Sequence, residues 1–168
     1  MGKEIKGAEK KVKVIGKPPH WGSELSKKGI FNFEKLYKLF MGWFEDNKYL
    51  THEKQYTSKP LLQQGEEIVL EYSGFKDVST YFRFHIDVEI WGLRLRRVGN
   101  NYKGTIKVRF RGWIEKDPKG RWRYFEFLRQ IYDLFIIKKK ISEAKKKIKK
   151  ETENLMKKSK KILGLITK

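Results

Sequence analysis

No cysteine occurs in this chain, so disulfides and thiolate metal sites are excluded, and the absence fits a reducing compartment. The N-terminus shows no apolar segment of the secretory kind, and the expected location is therefore cytoplasmic. Long apolar runs are also missing. The longest, Leu134 to Ile137, has four residues, far short of the ~20 that span a bilayer. Acid is scarce: 20 Asp and Glu stand against 40 Lys and Arg, a formal net charge of +20. Such a balance argues for association with nucleic acid or an anionic membrane surface, and says nothing about fold. No P-loop, G-x-G-x-x-G, G-x-S-x-G or H-E-x-x-H motif is present, which removes the commonest nucleotide-dependent, hydrolytic and zinc-dependent signatures.

What the chain does contain is enough apolar matter to fold. Of its 168 residues, 39% are hydrophobic and 14% aromatic, so it is not a disordered basic tail. The charge is unevenly placed. Residues 1–20 carry six Lys and two Glu, residues 138–168 carry thirteen Lys and three Glu, and 21–137 carry 21 basic and 15 acidic residues. The middle therefore has the balance of an ordinary domain. Three segments are expected: a flexible basic arm over 1–20, an α+β core over 21–137, and a Lys-rich helix over 138–168. The arm has as its rival a solvated tail of no function, with a short strand around Val12 to Ile15 also open.

Within the middle, Phe33, Leu36, Tyr37, Phe40, Trp43 and Phe44 recur at spacings of three and four behind Asn32, a good N-cap. This predicts an amphipathic helix from Phe33 to about Asn47 that lies across a sheet. Strands are expected at Glu66 to Tyr72, at Val78 to Trp91 and from about Tyr102 to Ile114. In the second, Phe82, Phe84, Ile86, Val88 and Ile90 alternate with polar residues. Period-two alternation gives one buried and one wet face. The turn Asp117-Pro118-Lys119-Gly120 would return Trp122 to Phe125 as a short fourth strand. Short connections imply an antiparallel meander. Helical spacing resumes at Phe125, Leu128, Ile131, Tyr132 and Phe135, and Ile141, Ile148, Leu155 and Ile162 follow at intervals of seven. The last helix thus has a thin apolar stripe, and could project from the core or pack beside it. Judged on charge alone, it should be removable without unfolding the middle.

The strongest functional feature is that helix. Lys138, Lys139 and Lys140, then Lys145, Lys146 and Lys147, Lys149 and Lys150, Lys157 and Lys158, and Lys160 and Lys161 cover much of its surface. Ammonium groups neutralise phosphates without base-specific geometry. The plainer reading is a solvated face, but solvated helices mix both signs. A second candidate is the wet face of the third strand, Lys107, Arg109 and Arg111, with Arg121 and Arg123 close by and Trp113, Trp122 and Tyr124 as stacking planes. Its rival is cross-strand pairing with Asp87 and Glu89. Arg94, Arg96 and Arg97 form a third basic spot, on an expected loop. His85, Asp87 and Glu89 share one strand face and could in principle hold a metal, but pairing explains the acids more simply. His20 and His52 are assigned to loops. Glu-x-Lys triplets of the nuclease type fall only in the terminal segments. No catalytic residue, metal or cofactor is expected.

The helix Phe33-Glu34-Lys35-Leu36-Tyr37-Lys38, the strand Tyr81 to Trp91, the run Gly112-Trp113-Ile114 and the stretch Phe127 to Asp133 resemble a group of uncharacterised archaeal proteins. The resemblance spans about Phe31 to Ile137 and implies helix, antiparallel sheet and long C-terminal helix, with no activity or site residue attached. The expectation is then an α+β protein that binds a large polyanion without catalysis, structured RNA or a ribonucleoprotein such as the ribosome before DNA. The alternative is a peripheral membrane-surface or assembly protein that uses the basic helix.

Overall fold

A computed structural model describes residues 14–15, 22–61, 65–120, 127, 131 and 137–165. Its elements in chain order are β1 (Val14–Ile15), β2 (Ser23–Phe31), α1 (Phe33–Asp46), β3 (Leu50–Leu61), β4 (Gly65–Asp77), β5 (Phe82–Val98), β6 (Asn101–Lys116) and α2 (Ile137–Leu163). The α+β class and the antiparallel meander are as the sequence pattern implies. Strands β3 to β6 follow one another across the sheet. Both β1 and β2 then pair with the free side of β6. Every pairing is antiparallel. Because β2 and β3 occupy opposite edges, α1 must cross the sheet between them.

Asn32 starts α1 as expected. Its side-chain oxygen accepts from the Lys35 backbone N–H at 2.7 Å, meeting one of the donors that a helix start leaves unpaired. The apolar stripe then turns Leu36, Phe40, Trp43 and Phe44 into the core. Phe40 meets Phe110 of β6 edge-on, and Phe44 stacks on Tyr72 of β4. The alternation in β5 and β6 supplies the other half: Phe84, Ile86, Val88, Ile106 and Val108 are fully buried. Each such side chain contributes about 1.5–3 kcal/mol of transfer free energy.

Helix α2 packs beside α1 on the same face of the sheet. Its stripe of Ala144, Ile148, Leu155, Ser159 and Leu163 is buried. The helix lies close against β6, where a Cβ on Gly112 would come within 2.4 Å of Thr152 Oγ1. Trp43 Nε1 donates to Asn154 Oδ1 at 3.0 Å, locking the two helices together. At its far end, Gly164 takes a left-handed conformation (φ 66°). Its N–H and that of Leu165 close onto Lys161 and Lys160 carbonyls, the usual glycine C-cap. Lys27 of β2 donates to the last helical carbonyl, Leu163 O. The separability expected from charge does not follow from this packing. The heptad stripe, thin as it is, is a core face.

Several expectations need correction. The strand expected from Val78 begins at Phe82, because residues 78–81 form a bend before it. His52 and the run Arg94, Arg96, Arg97 are on β3 and β5, not in loops. Strands β2 and β3 themselves carried no clear alternation and were not anticipated. Val14–Ile15 form the short strand left open for the N-terminal segment. The expected fourth strand, Trp122 to Phe125, lies outside the described residues, as does His20; Phe127 and Ile131 are helical.

Candidate nucleic-acid interface

Two of the three expected basic surfaces, the outer sheet face and α2, differ in how far acid compensates them. The outer face of the sheet is an ionic lattice. Register places Asp87 opposite Arg111 and Glu89 opposite Arg109, so cross-strand attraction is built into the pairing. Arg111 reaches Asp87 Oδ2 at 2.8 Å. Arg109 bridges Glu24 at 2.8 Å and Glu89 at 3.4 Å. Lys107 lies 3.7 Å from Glu24. Lys107, Arg109 and Arg111 of β6 are thus each engaged with carboxylates. The pairing considered as the rival to phosphate binding is what the geometry displays.

Asp87 anchors this lattice. Its side chain is 1% exposed, and it accepts from Ser73 Oγ at 2.6 Å, Trp113 Nε1 at 3.0 Å and Arg111 Nε at 2.9 Å, with Lys54 at 3.4 Å. Burial pushes its pKa up, but the bonds from Ser73 and Trp113 and the charges of Lys54 and Arg111 outweigh it, so the carboxyl sits below its usual value. His85 stacks on Trp113 with ring centroids 3.9 Å apart and meets Glu115 at 2.8 Å. Burial holds its pKa below the usual value despite Glu115. His85, Asp87 and Glu89 are therefore each committed to neighbours. Among the described residues, no group of three His, Asp or Glu is placed to hold a metal ion.

Helix α2 is different. Twelve lysines lie within it, and all but Lys160 are exposed: Lys138, Lys139, Lys140, Lys145, Lys146, Lys147, Lys149, Lys150, Lys157, Lys158 and Lys161. Of its three acids, Glu151 points inward, accepting from Tyr49 Oη at 2.6 Å and Lys76 Nζ at 2.9 Å. Burial, reinforced by this carboxylate, pushes the Tyr49 pKa up, so the phenol keeps its proton and its bond. Only Glu143 and Glu153 are left outside, the latter 3.8 Å from Lys149. Twelve cations against two outward acids leave an excess of ten on one helix surface. Packing enforces this arrangement, since the apolar stripe must face α1 and β6.

The third basic spot gained a member the sequence did not suggest. Arg94 and Arg96 share a hollow of about 420 Å³ with Lys103 and Gly104 of β6. Lys103 joins them through strand register, which no local pattern reveals. Arg121 and Arg123 lie outside the described residues. No described helix is long and apolar enough to cross a membrane. No family model matches the chain, and neither a curated protein nor a solved structure matches it.

Proposed function

We propose that this protein binds a large polyanion without catalysis, structured RNA or a ribonucleoprotein in the first place, by neutralising phosphates with the lysines of α2. The observation that carries this reading is the excess of exposed lysines over outward acids on that helix. Glu151 is turned inward to Tyr49 and Lys76, and eleven of the twelve lysines are exposed on a helix docked against the core. Like charges four residues apart destabilise a helix. A chain that keeps them on a docked helix gains from an anion that relieves the repulsion. Lysine suits a backbone reader, being a mobile point charge with no demand for planar geometry.

The apolar stripe of α2 also bears on the membrane alternative. Ile148, Leu155 and Leu163 are buried in the protein, and are not offered to lipid while the helix is docked. Insertion of an amphipathic helix needs that face. Electrostatic attraction to anionic lipid is what remains of the alternative, and one experiment covers both.

The test is fluorescence anisotropy with a labelled structured RNA over a salt series, beside flotation with anionic vesicles. Six phosphate contacts should lose about a thousandfold in affinity between about 50 and 200 mM salt. Charge reversal at Lys145 and Lys149 should weaken binding and flatten the salt dependence. An affinity indifferent to salt, or retention by vesicles with none by RNA, would refute the RNA reading.

A further inference from the structure

The lysines of α2 are not spread evenly along it. All twelve fall into three groups, at 138–140, 145–150 and 157–161, with three, five and four lysines. The three acids of the helix, Glu143, Glu151 and Glu153, all fall in the two gaps between these groups, at 141–144 and 151–156. Charge therefore alternates in sign along the axis. Packing does not impose this, because buried residues occur in both kinds of segment: Ala144 and Leu155 in the gaps, Ile148 and Ser159 in the lysine groups.

A helix turns about 100° per residue, so the runs Lys138 to Lys140 and Lys145 to Lys147 reach from one flank of the exposed surface to the other. Each group is a transverse belt, not a lengthwise row. At about 1.5 Å per residue, the belt centres are about 13 Å and about 17 Å apart, or about 30 Å from first to last. The support is held along its length. Thr152 packs close over Gly112 of β6, Asn154 accepts from Trp43 of α1, and Leu163 O accepts from Lys27 of β2.

Transverse belts suit a ligand whose charge crosses the helix at intervals. A line drawn along a nucleic-acid double helix meets one backbone, then the other, then the first again, within one turn of about 34–36 Å. The two grooves it passes are unequal in width, as the two gaps are. Lysine stems are flexible and take up the few Å by which the belts fall short of a turn. Laid this way, the exposed Glu143 and Glu153 face grooves, away from phosphate, while Glu151 is turned inward to Tyr49 and Lys76. A single strand laid lengthwise would pass both outward acids. Nor does α2 contain an aromatic residue on which its bases could stack.

We infer that α2 lies along the axis of a base-paired nucleic acid, RNA before DNA, with its three lysine belts on three successive backbone crossings. This rests on the polyanion reading above and names the form of its ligand.

The test moves charge without changing its amount. Lys149 and Glu153 are four residues apart, both well exposed, with their charged atoms at 3.8 Å. The exchange Lys149→Glu with Glu153→Lys keeps the net charge and the pair, but shifts a cation from belt to gap. Acid before base is the better order for a helix pair, so the fold should hold; a thermal melt checks it. Glu143→Lys with Lys147→Glu makes the same shift at the other gap. Anisotropy is measured with an RNA hairpin whose stem exceeds one turn, a DNA hairpin of the same stem sequence, and single-stranded polyuridine. The parent chain should bind the RNA hairpin about tenfold more tightly than polyuridine at about 150 mM salt. Each exchange should weaken hairpin binding about fivefold to tenfold, through one lost phosphate contact and one added repulsion, and leave polyuridine within about twofold. An exchange that leaves the hairpin unchanged, or weakens both ligands alike, overturns the belt arrangement while the helix-charge reading stands. Equal binding of hairpin and polyuridine by the parent chain overturns it in the same way. Binding of the DNA hairpin alone keeps the double helix and removes RNA. If none of the three binds, the proposed function and this arrangement fall together.

Discussion

Leu155→Ala separates a helix that belongs to the core from one that merely carries charge. Leu155 is fully buried, in the second half of a helix in which 12 of 27 residues are lysine. The change removes three carbons, worth about 0.8 kcal/mol each in transfer free energy, or about 2.4 kcal/mol. The cavity left beneath α1 and β6 adds to this, since packed surroundings collapse only in part. The expected total is about 3–4 kcal/mol, inside the usual range for buried Leu→Ala changes. For a chain of this length each kcal/mol lowers Tm by about 2–4 °C, so the melt should fall by about 6–16 °C. Urea titration followed by circular dichroism gives the same quantity independently, through the midpoint at constant slope. Lys157→Ala, on the exposed side of the same helix, should change stability by no more than about 0.5 kcal/mol. A loss under about 1 kcal/mol for Leu155→Ala, equal to that of Lys157→Ala, would mean that α2 does not share the core. The account of how its lysines are held outward would then fail with it.

Other outcomes follow from the outer face and the helix contact. Asp87→Asn keeps the shape but leaves Arg111 and Lys54 without their carboxylate, and should cost about 2–4 kcal/mol in a denaturant titration; a neutral result would show the lattice to be decorative. Because the folded-state pKa of Asp87 is depressed below 3.8, its contribution is complete above that pH and is lost as pH falls through the folded value; Asp87→Asn should remove this acid-limb component from a stability–pH curve. His85 is likewise depressed from 6.5 by burial, so the parent protein should lose stability as pH drops below about 6.5, and His85→Gln should not show that decrement. Gly112→Ala forces a Cβ against Thr152 Oγ1, with an expected cost of about 1–3 kcal/mol; adding Thr152→Ala should recover part of it, and a double variant no better than the single would place the clash elsewhere.

How much of this was readable in sequence depended on whether an element declared itself locally. The α1 stripe, its Asn32 cap and the alternation in β5 and β6 were legible, because helix and strand periods differ and each faces a core on one side. Strand β3 was not, since it is an edge strand whose residues are nearly all exposed; without a buried face there is no alternation to see. In β2 only Leu25 and Phe31 are buried, too few for a pattern. The pairing of Arg109 and Arg111 with acids was foreseen as a rival reading because the acids sit on the adjacent strand of a meander. The hollow at Arg94 was only half visible. Its arginines lie two apart in sequence, but the bulge that gathers them is a matter of register, and Lys103 reaches them from another strand. The docking of α2 was left open because seven-residue spacing describes a stripe and not its partner.

The crossing of α1 from one sheet edge to the other has a consequence for how the chain folds. The hairpins β3–β4, β4–β5 and β5–β6 join neighbours in sequence and can zip locally. Strand β2 cannot join them that way. Ser23 finds its partner at Phe110, 87 positions away, and Phe31 at Tyr102, 71 positions away. Contacts this distant are slow to form, because a large loop must close before any pairing repays it. The β6 edge stays open until the first long strand returns to it. Helix α2 docks on ground that α1 and β6 supply, and its terminal carbonyl is held by Lys27 of that late strand. The topology predicts that the lysines reach their final places last, after an edge that began at residue 23 has been closed.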